Sequence, residues 1–309
     1  MEYLLLLLGF ALLVFSGRLL ITCSVSIARR FKLSSFVIGL TIVAVGTSAP
    51  ELLVSLTGAI KGYSDVAIYN VVGSNISNVL LVLAIATIIL PIAVKKGSIL
   101  LDSSIMLIFS LMVWIFLRDL HFSAPEGSIL LFLLITYIVF CVFRSRKDKA
   151  DDLMPASSGM KIWVAAAGVL AATGGLALGA DLLVDNAVII ARQFSLSERV
   201  ISVSMIAVGT SIPELTTSAI AAFRKQTDIS IGNIIGSNIF NVGLVLGVTT
   251  MVNPIKVNPL IMSFDIYWFA GVAVLLILMI LIPPKSILSR WKGLAMLLGY
   301  LIYLYLILN

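Results

Sequence analysis

Val45–Ser55 reads VGTSAPELLVS and Val208–Ser218 reads VGTSIPELTTS; Gly73–Val79 reads GSNISNV and Gly236–Val242 reads GSNIFNV. Glu51 and Glu214 set an offset of 163 residues, and the same offset pairs Ala28 with Ala191, Phe31 with Phe194 and Asp102 with Asp265. Between residues 36–94 and 199–257 about half the positions are identical, with no gap. The chain is an internal duplication, and its fold must be read as two copies of one unit.

The medium follows from composition. Of 309 residues (33.2 kDa), 60% are hydrophobic and only 12% charged, and the mean hydropathy is +1.14. Soluble domains carry about twice that charged share, so a soluble globular protein is excluded. At about 20 apolar residues per bilayer crossing, the length holds roughly ten helical spans and no sizeable domain outside the membrane. The polar window Arg144–Gly159 is too short for a core and reads as a linker. The N-terminal MEYLLLLLGFALLVFSGR has the apolar run of a signal segment, yet it starts with Glu2, lacks a basic flank and has no small-residue cleavage pattern, so it reads as a first membrane helix.

Apolar runs bounded by charges or turn residues predict helices near 3–27, 36–60, 66–92, 99–117 and 127–143, and again near 162–191, 200–223, 229–252, 262–282 and 290–308. Five spans is an odd number, so two such units joined by a short linker cross the membrane in opposite senses. The expectation is an all-α membrane protein of about ten transmembrane helices in two inverted-topology repeats, 1–143 and 161–309, joined by a linker over 144–160. Fifteen lysines and arginines fall in loops and helix ends on one side and five on the other, which makes the richer side, with the linker, cytoplasmic and both termini external. The net charge of +6 is spread over the ends of apolar runs, a topological signal and not a nucleic-acid patch. Cys23 and Cys141 lie inside apolar runs, and the only histidine, His121, falls in a predicted loop; neither a disulfide framework nor a zinc site follows.

The two G-T-S-x-P-E-L segments place an acidic residue and a proline mid-span. A central carboxylate costs about 2.5–3.5 kcal/mol to insert and a helix-interior proline about 3 kcal/mol. Twice over, that reaches about 12 kcal/mol, comparable to the roughly 5–15 kcal/mol stability of an ordinary domain, so the acids must have a use. Pro50 and Pro213 leave the carbonyls of Gly46 and Gly209 without helical donors. Thr47, Glu51 and Ser55 share a helix face, as do Thr210, Glu214 and Ser218. On the next helix Asn70, Ser74 and Asn78 form a second stripe, repeated by Asn233, Ser237 and Asn241, with Gly73 and Gly236 predicted to allow close helix approach. Broken backbone at membrane depth is tolerated where it lines a cavity. Carboxylates, hydroxyls, amide oxygens and carbonyls, without imidazole or thiolate, are a donor set for hard cations; calcium, with six to eight oxygens at about 2.3–2.6 Å, suits it better than magnesium, and sodium can share it. Competition of different ions for two glutamates, in a protein with two inverted shapes, is all that an antiporter requires.

With these motifs the chain resembles the cation/calcium exchanger superfamily, its sodium/calcium exchanger branch and the compact prokaryotic members of that branch, over nearly its whole length. The resemblance implies a ten-helix exchanger in a prokaryotic cell membrane that moves Ca2+ against several Na+ ions. It implies ion ligands at Thr47, Ser48, Glu51, Ser74 and Asn78, and at Thr210, Ser211, Glu214 and Ser237, with main-chain oxygens near Ala44 and Ala207. Where some relatives carry an aspartate this chain has Asn241, which mirrors Asn78 and leaves two carboxylates in the set. It implies no enzymatic activity, no cofactor beside the transported ions, no nucleic acid and no protein partner; the linker has no room for a calcium-sensing insert.

Other readings are set beside this one. The nearest is the same architecture with H+/Ca2+ exchange or Na+-coupled exchange of Mg2+ or Mn2+. An intramembrane protease would need a base or metal that the chain lacks, having neither HExxH nor GxSxG. A channel would place its filter on an open pore axis. Asn75 and Asn238 lie off the polar stripes and read as packing or capping residues. Asp102 and Asp265 read as helix N-terminal acids, and Asp181 and Asp185 as partners of Arg18 or as acids near a helix end. Glycines 168, 174, 175 and 179 give the run 162–191 a smooth flank suited to sliding.

Overall fold

The structure, a computed structural model, describes residues 1–63, 65–93, 96–147, 160–193, 209–257, 259–284 and 286–308. Among these the chain is helical, with four two-residue strands at helix ends. Helix α1 (Glu2–Phe31) has an acid in its first turn and Arg29 and Arg30 in its last, matching the helix macrodipole, and Lys32 (φ 55°) closes it by donating to the Ala28 and Arg29 carbonyls. Helices α2 (Ser35–Thr47) and α3 (Ala49–Ile60) meet at a 42° bend. There follow α4 (Val66–Ile89), α5 (Lys96–Phe116) and α6 (Ala124–Lys147). The second half contains α7 (Ile162–Gln193), α8 (Ile212–Phe223), α9 (Thr227–Val252), the short α10 (Pro259–Ser263), α11 (Asp265–Leu281) and α12 (Arg290–Leu308). Among the described residues six helices, or seven with the bent pair as one span, are long and apolar enough to cross a bilayer. Residues 200–208 of the expected run 200–223 lie outside the described residues. Helix α6 continues to Lys147, into the expected linker, whose residues 148–159 also lie outside them.

Helices α4 and α9 form the centre: 72% and 89% of their most apolar windows are buried inside the protein, against 22–39% for α1, α5, α6 and α7. Glycine decides how closely they are approached. A methyl group at Gly232 would run into the Phe36 carbonyl and one at Gly236 into that of Leu40, so α2 lies directly on α9. Gly73, the repeat equivalent of Gly236, has nothing within 4 Å among the described residues; the equivalents of Leu40 and Ala44 there are residues 203 and 207, outside the described set. Gly127 and Gly243 bring α6 onto α9, and Gly293 brings α12 onto the Ala84 carbonyl of α4. Each half therefore packs its outer helices on the central helix of the other.

The strands repeat this exchange. β1 (Ile92–Ala93) pairs with β4 (Ile287–Leu288), and β2 (His121–Phe122) with β3 (Ile255–Lys256), both antiparallel and both between halves. Ile92 faces Leu288 as its repeat equivalent Ile255 faces Phe122. Helices α1 and α7, also repeat equivalents, pack against each other in opposite directions: Gly9 faces Gly179, Ser16 faces Gly175 and Cys23 faces Gly168. This pair has an apolar cluster of its own, including Leu13, Leu20, Ala172 and Leu176 with Ile38 and Val43 of α2 and Ile212 and Ala221 of α8, separate from the large core around α4 and α9.

Two acid expectations change. Asp102 is not at a helix start but well inside α5, buried, where it accepts hydrogen bonds from Tyr137 Oη (2.8 Å) and Arg144 Nη2 (2.7 Å). Asp265 does open α11 and accepts from Tyr303 Oη at 3.2 Å. Asp181, Asp185 and Arg18 are all exposed, and no ion pair joins Arg18 to either acid among the described residues. The antiparallel register is the reason: with Ser16 beside Gly175, Arg18 lies level with Thr173, about 12 Å along the axis from Asp181.

Candidate ion-binding site

The site is built at two equivalent serines. Ser48 (φ −86°, ψ 5°) breaks the helical path between α2 and α3, Ser211 (φ −87°, ψ 3°) has the same backbone conformation, and each is the N-cap of the helix that follows. Pro50 and Pro213 consequently stand in the first turn of α3 and α8, where a missing N–H costs little, and the helix-interior penalty expected for them does not apply. Glu51 and Glu214 fall in the same first turns, where unpaired N–H groups and the macrodipole favour negative charge. The proline that sets the break thus also sets the carboxylate at a helix N-terminus. On the facing helices a π turn begins at Asn78 (Asn78–Leu83) and at Asn241 (Asn241–Leu246), a second local irregularity aligned with the first.

Four cross-half contacts join these pieces. Ser48 Oγ donates to Glu214 Oε1 at 3.2 Å, bringing the acid of one break onto the cap of the other. Thr47 Oγ1 meets Ser237 Oγ at 3.2 Å, and the mirror pair Ser74 Oγ and Thr210 Oγ1 meets at 3.0 Å. Thr47 also donates to Asn233 Oδ1 at 3.2 Å. The two carboxylates lie within each other's electrostatic reach. Glu51, Glu214, Thr47, Asn78, Ser237 and Asn241 are fully buried, and Ser48, Ser74 and Ser211 nearly so.

Most of these atoms are acceptors without a donor. Among the described residues, both carboxylate oxygens of Glu51, Oε2 of Glu214, Oγ of Ser211 and Oδ1 of Asn78 and Asn241 are buried and make no hydrogen bond; Asn78 Nδ2 is likewise unpartnered. Each such group costs about 1–3 kcal/mol, and more when charged, so together they approach the stability of a whole domain, about 5–15 kcal/mol. A species that satisfies many oxygens at once is a cation. Among the described residues no cluster of three His, Cys, Asp or Glu side chains exists; the charge here comes from two carboxylates and the remaining donors are neutral, a set for hard cations.

The sequence-predicted residues largely converge. Thr47 meets Ser237, Ser48 meets Glu214 and Ser74 meets Thr210; Ser211 caps α8 with its hydroxyl unpartnered, Asn78 and Asn241 start the facing π turns, and Glu51 is buried with neither carboxylate oxygen hydrogen-bonded among the described residues. The Ala44 carbonyl is already engaged, accepting Ser48 N–H at 2.9 Å and Thr47 Oγ1 at 3.3 Å; Ala207 lies outside the described residues. Asn70 and Asn233, on the predicted stripes, brace the helices: Asn70 Nδ2 donates to the Glu51 carbonyl and Ser55 Oγ, and Asn233 Nδ2 to Ser218 Oγ. Asn75, which the stripe geometry set aside, bridges the halves by donating to the Asn238 carbonyl at 3.0 Å and accepting from Asn241 Nδ2 at 3.0 Å. Its only sequence signal is that asparagine occupies both repeat positions.

The chain matches the family described as sodium/calcium exchanger protein over residues 1–143 and 164–309. It is 34% identical to the inner membrane protein YrbG of Escherichia coli, over 84% of this chain and 83% of that one. It is 28% identical to the sodium/calcium exchanger MaX1 of Methanosarcina acetivorans, over 98% and 97%. A solved structure of the sodium–calcium exchanger NCX_Mj, soaked with Na+ and Sr2+, superposes with a TM-score of 0.81 at 32% identity, covering 97% of this chain and 96% of that one.

Proposed function

This chain belongs to the sodium/calcium exchanger family and is an integral membrane transporter, and from that premise we propose that it exchanges Ca2+ for Na+ by alternating access, with Glu51 and Glu214 as the central ligands. One observation carries the reading: Ser48 of the first break grips Glu214 of the second, so the acids of both halves serve one buried site. Thr47, Ser48, Ser74 and Asn78, with Thr210, Ser211, Ser237 and Asn241, complete the oxygen shell. Two carboxylates balance one divalent ion or two monovalent ones, and that competition couples the fluxes. The protein does no covalent chemistry and needs no cofactor; the ions are its substrates.

The chain crosses the membrane ten times as two inverted five-helix repeats, 1–143 and 161–309, around a cytoplasmic linker, with both termini external; the fifteen-to-five distribution of Lys and Arg supports that orientation. Helices α1 and α7, with a cluster apart from the main core, slide past the site to open it to either face. The test is isotope flux in proteoliposomes with each gradient varied in turn. Calcium uptake that follows an outward sodium gradient and ignores a pH gradient is expected; uptake driven by the pH gradient alone overturns sodium coupling, and flux without any counter-ion overturns antiport.

A further inference from the structure

An asparagine side chain offers an oxygen on one end and an NH2 on the other, and only the oxygen serves a cation. Something must decide which end of Asn241 faces the site. The decision starts at a group with no choice: the main-chain carbonyl of Asn238 can only accept. Asn75 lies 3.0 Å from it and must therefore present Nδ2. That leaves Asn75 Oδ1 on the other side, an acceptor, 3.0 Å from the Asn241 amide, which must then present its own Nδ2. The outcome is that Asn241 Oδ1 is turned the other way, buried and without a protein partner.

The relay exists in one half only. Asn238, the repeat equivalent of Asn75, spends its Nδ2 on the Ile234 carbonyl one turn back in its own helix, at 2.8 Å. Asn78, the equivalent of Asn241, consequently has both amide atoms unpartnered. Sequence symmetry at these four positions is complete, yet the hydrogen bonding is not.

We propose that Asn75 is a positioning residue for ion binding: through the acceptor-only Asn238 carbonyl it locks the Asn241 carboxamide so that its oxygen, and not its NH2, faces the transported cation. The inference rests on the reading of the site given above. In proteoliposomes with an outward sodium gradient, Asn75→Ala is expected to raise KM for Ca2+ about five- to tenfold with Vmax within about twofold, the effect of one weakened ligand interaction. Asn253→Ala, which removes a matched amide-to-carbonyl bond between the halves (Asn253 Nδ2 to Ala59 O, 2.7 Å) away from the site, leaves KM unchanged. Asn241→Asp supplies the decisive arm: a carboxylate has no donor end to misplace, so adding Asn75→Ala to Asn241→Asp costs no further affinity. The same ranking is expected in Ca2+-induced thermal stabilisation of the purified protein. If Asn75→Ala does not fold, Asn75→Ser, which no longer carries the amide oxygen, takes its place with the same expectation. An unchanged KM, a loss confined to Vmax, or a full additional loss in the double variant overturns the proposal. Failure of the site reading itself looks different: Glu51→Gln would then leave Ca2+-induced stabilisation intact.

Discussion

At the residue scale, a carboxylate inside a membrane needs a compensating charge, and the described part of this site contains no lysine or arginine contact to supply one. Glu51 has neither oxygen partnered, whereas Glu214 is held by Ser48. Replacing either acid by glutamine keeps the shape and removes one of two negative charges. Glu51→Gln or Glu214→Gln is expected to abolish exchange, a fall of about 100-fold or more, since about 3 kcal/mol of ion binding already amounts to that. Calcium uptake into proteoliposomes measures it, and near-normal transport in either variant contradicts the assignment. Both glutamates were legible from sequence as acids inside apolar runs, and the structure buries both. Asn75 was not, because its importance lies in what its two ends touch, which periodicity does not encode.

At the scale of elements, close helix approach and a pinned turn set the frame. Gly236→Ala puts a methyl group against the Leu40 carbonyl; backbone cannot yield as a side chain can, so a loss of about 1–3 kcal/mol is expected, read as a lower unfolding temperature. Gly271→Ala, at a position with nothing within 4 Å, is the control and is neutral or slightly stabilising, by up to about 1 kcal/mol. Lys292, fully buried in α12, donates through Nζ to the carbonyls of Ile282 (2.7 Å), Pro284 (3.0 Å) and Ile287 (2.8 Å), fixing the turn whose strand β4 pairs with β1. Lys292→Met leaves those carbonyls short of a donor and is expected to cost about 3 kcal/mol or more, seen as a lower unfolding temperature with apparent ion affinity retained. In the sequence Lys292 is one more charge near the start of an apolar run; that its ammonium is wrapped by the carbonyls of Ile282, Pro284 and Ile287 is a matter of tertiary structure. Pro50 is the converse case, read as a mid-helix defect and found as the first turn of a new helix, where the same residue is at ease.

At the scale of the whole molecule, the halves are interleaved. α2 and α6 lean on α9, α12 leans on α4, and both strand pairs run between halves. A unit so braced cannot open by separating its repeats, and the buried acids need another route to water. The α1–α7 pair, with its own apolar cluster, is the element proposed above to move. With the native Cys23 and Cys141 replaced, disulfide cross-linking of α1 or α7 to the central helices is expected to stop exchange and reduction to restore it, measured by isotope flux; full transport in the cross-linked state contradicts sliding.

The amino-acid sequence by itself determined the membrane setting, the duplication, the two acids and the oxygen-rich stripes, because hydropathy, offset and helical periodicity are properties of a chain read in order. Only the tertiary structure decided that the prolines start helices, that Arg18 lies out of register with Asp181, and that Asn75 and Asn238 do different work despite equivalent positions. The first depends on where the helical path restarts, the second on the register of two antiparallel helices, and the third on which donor meets which acceptor across the two halves. Contacts between residues more than 160 positions apart are set by packing geometry, which no local pattern contains.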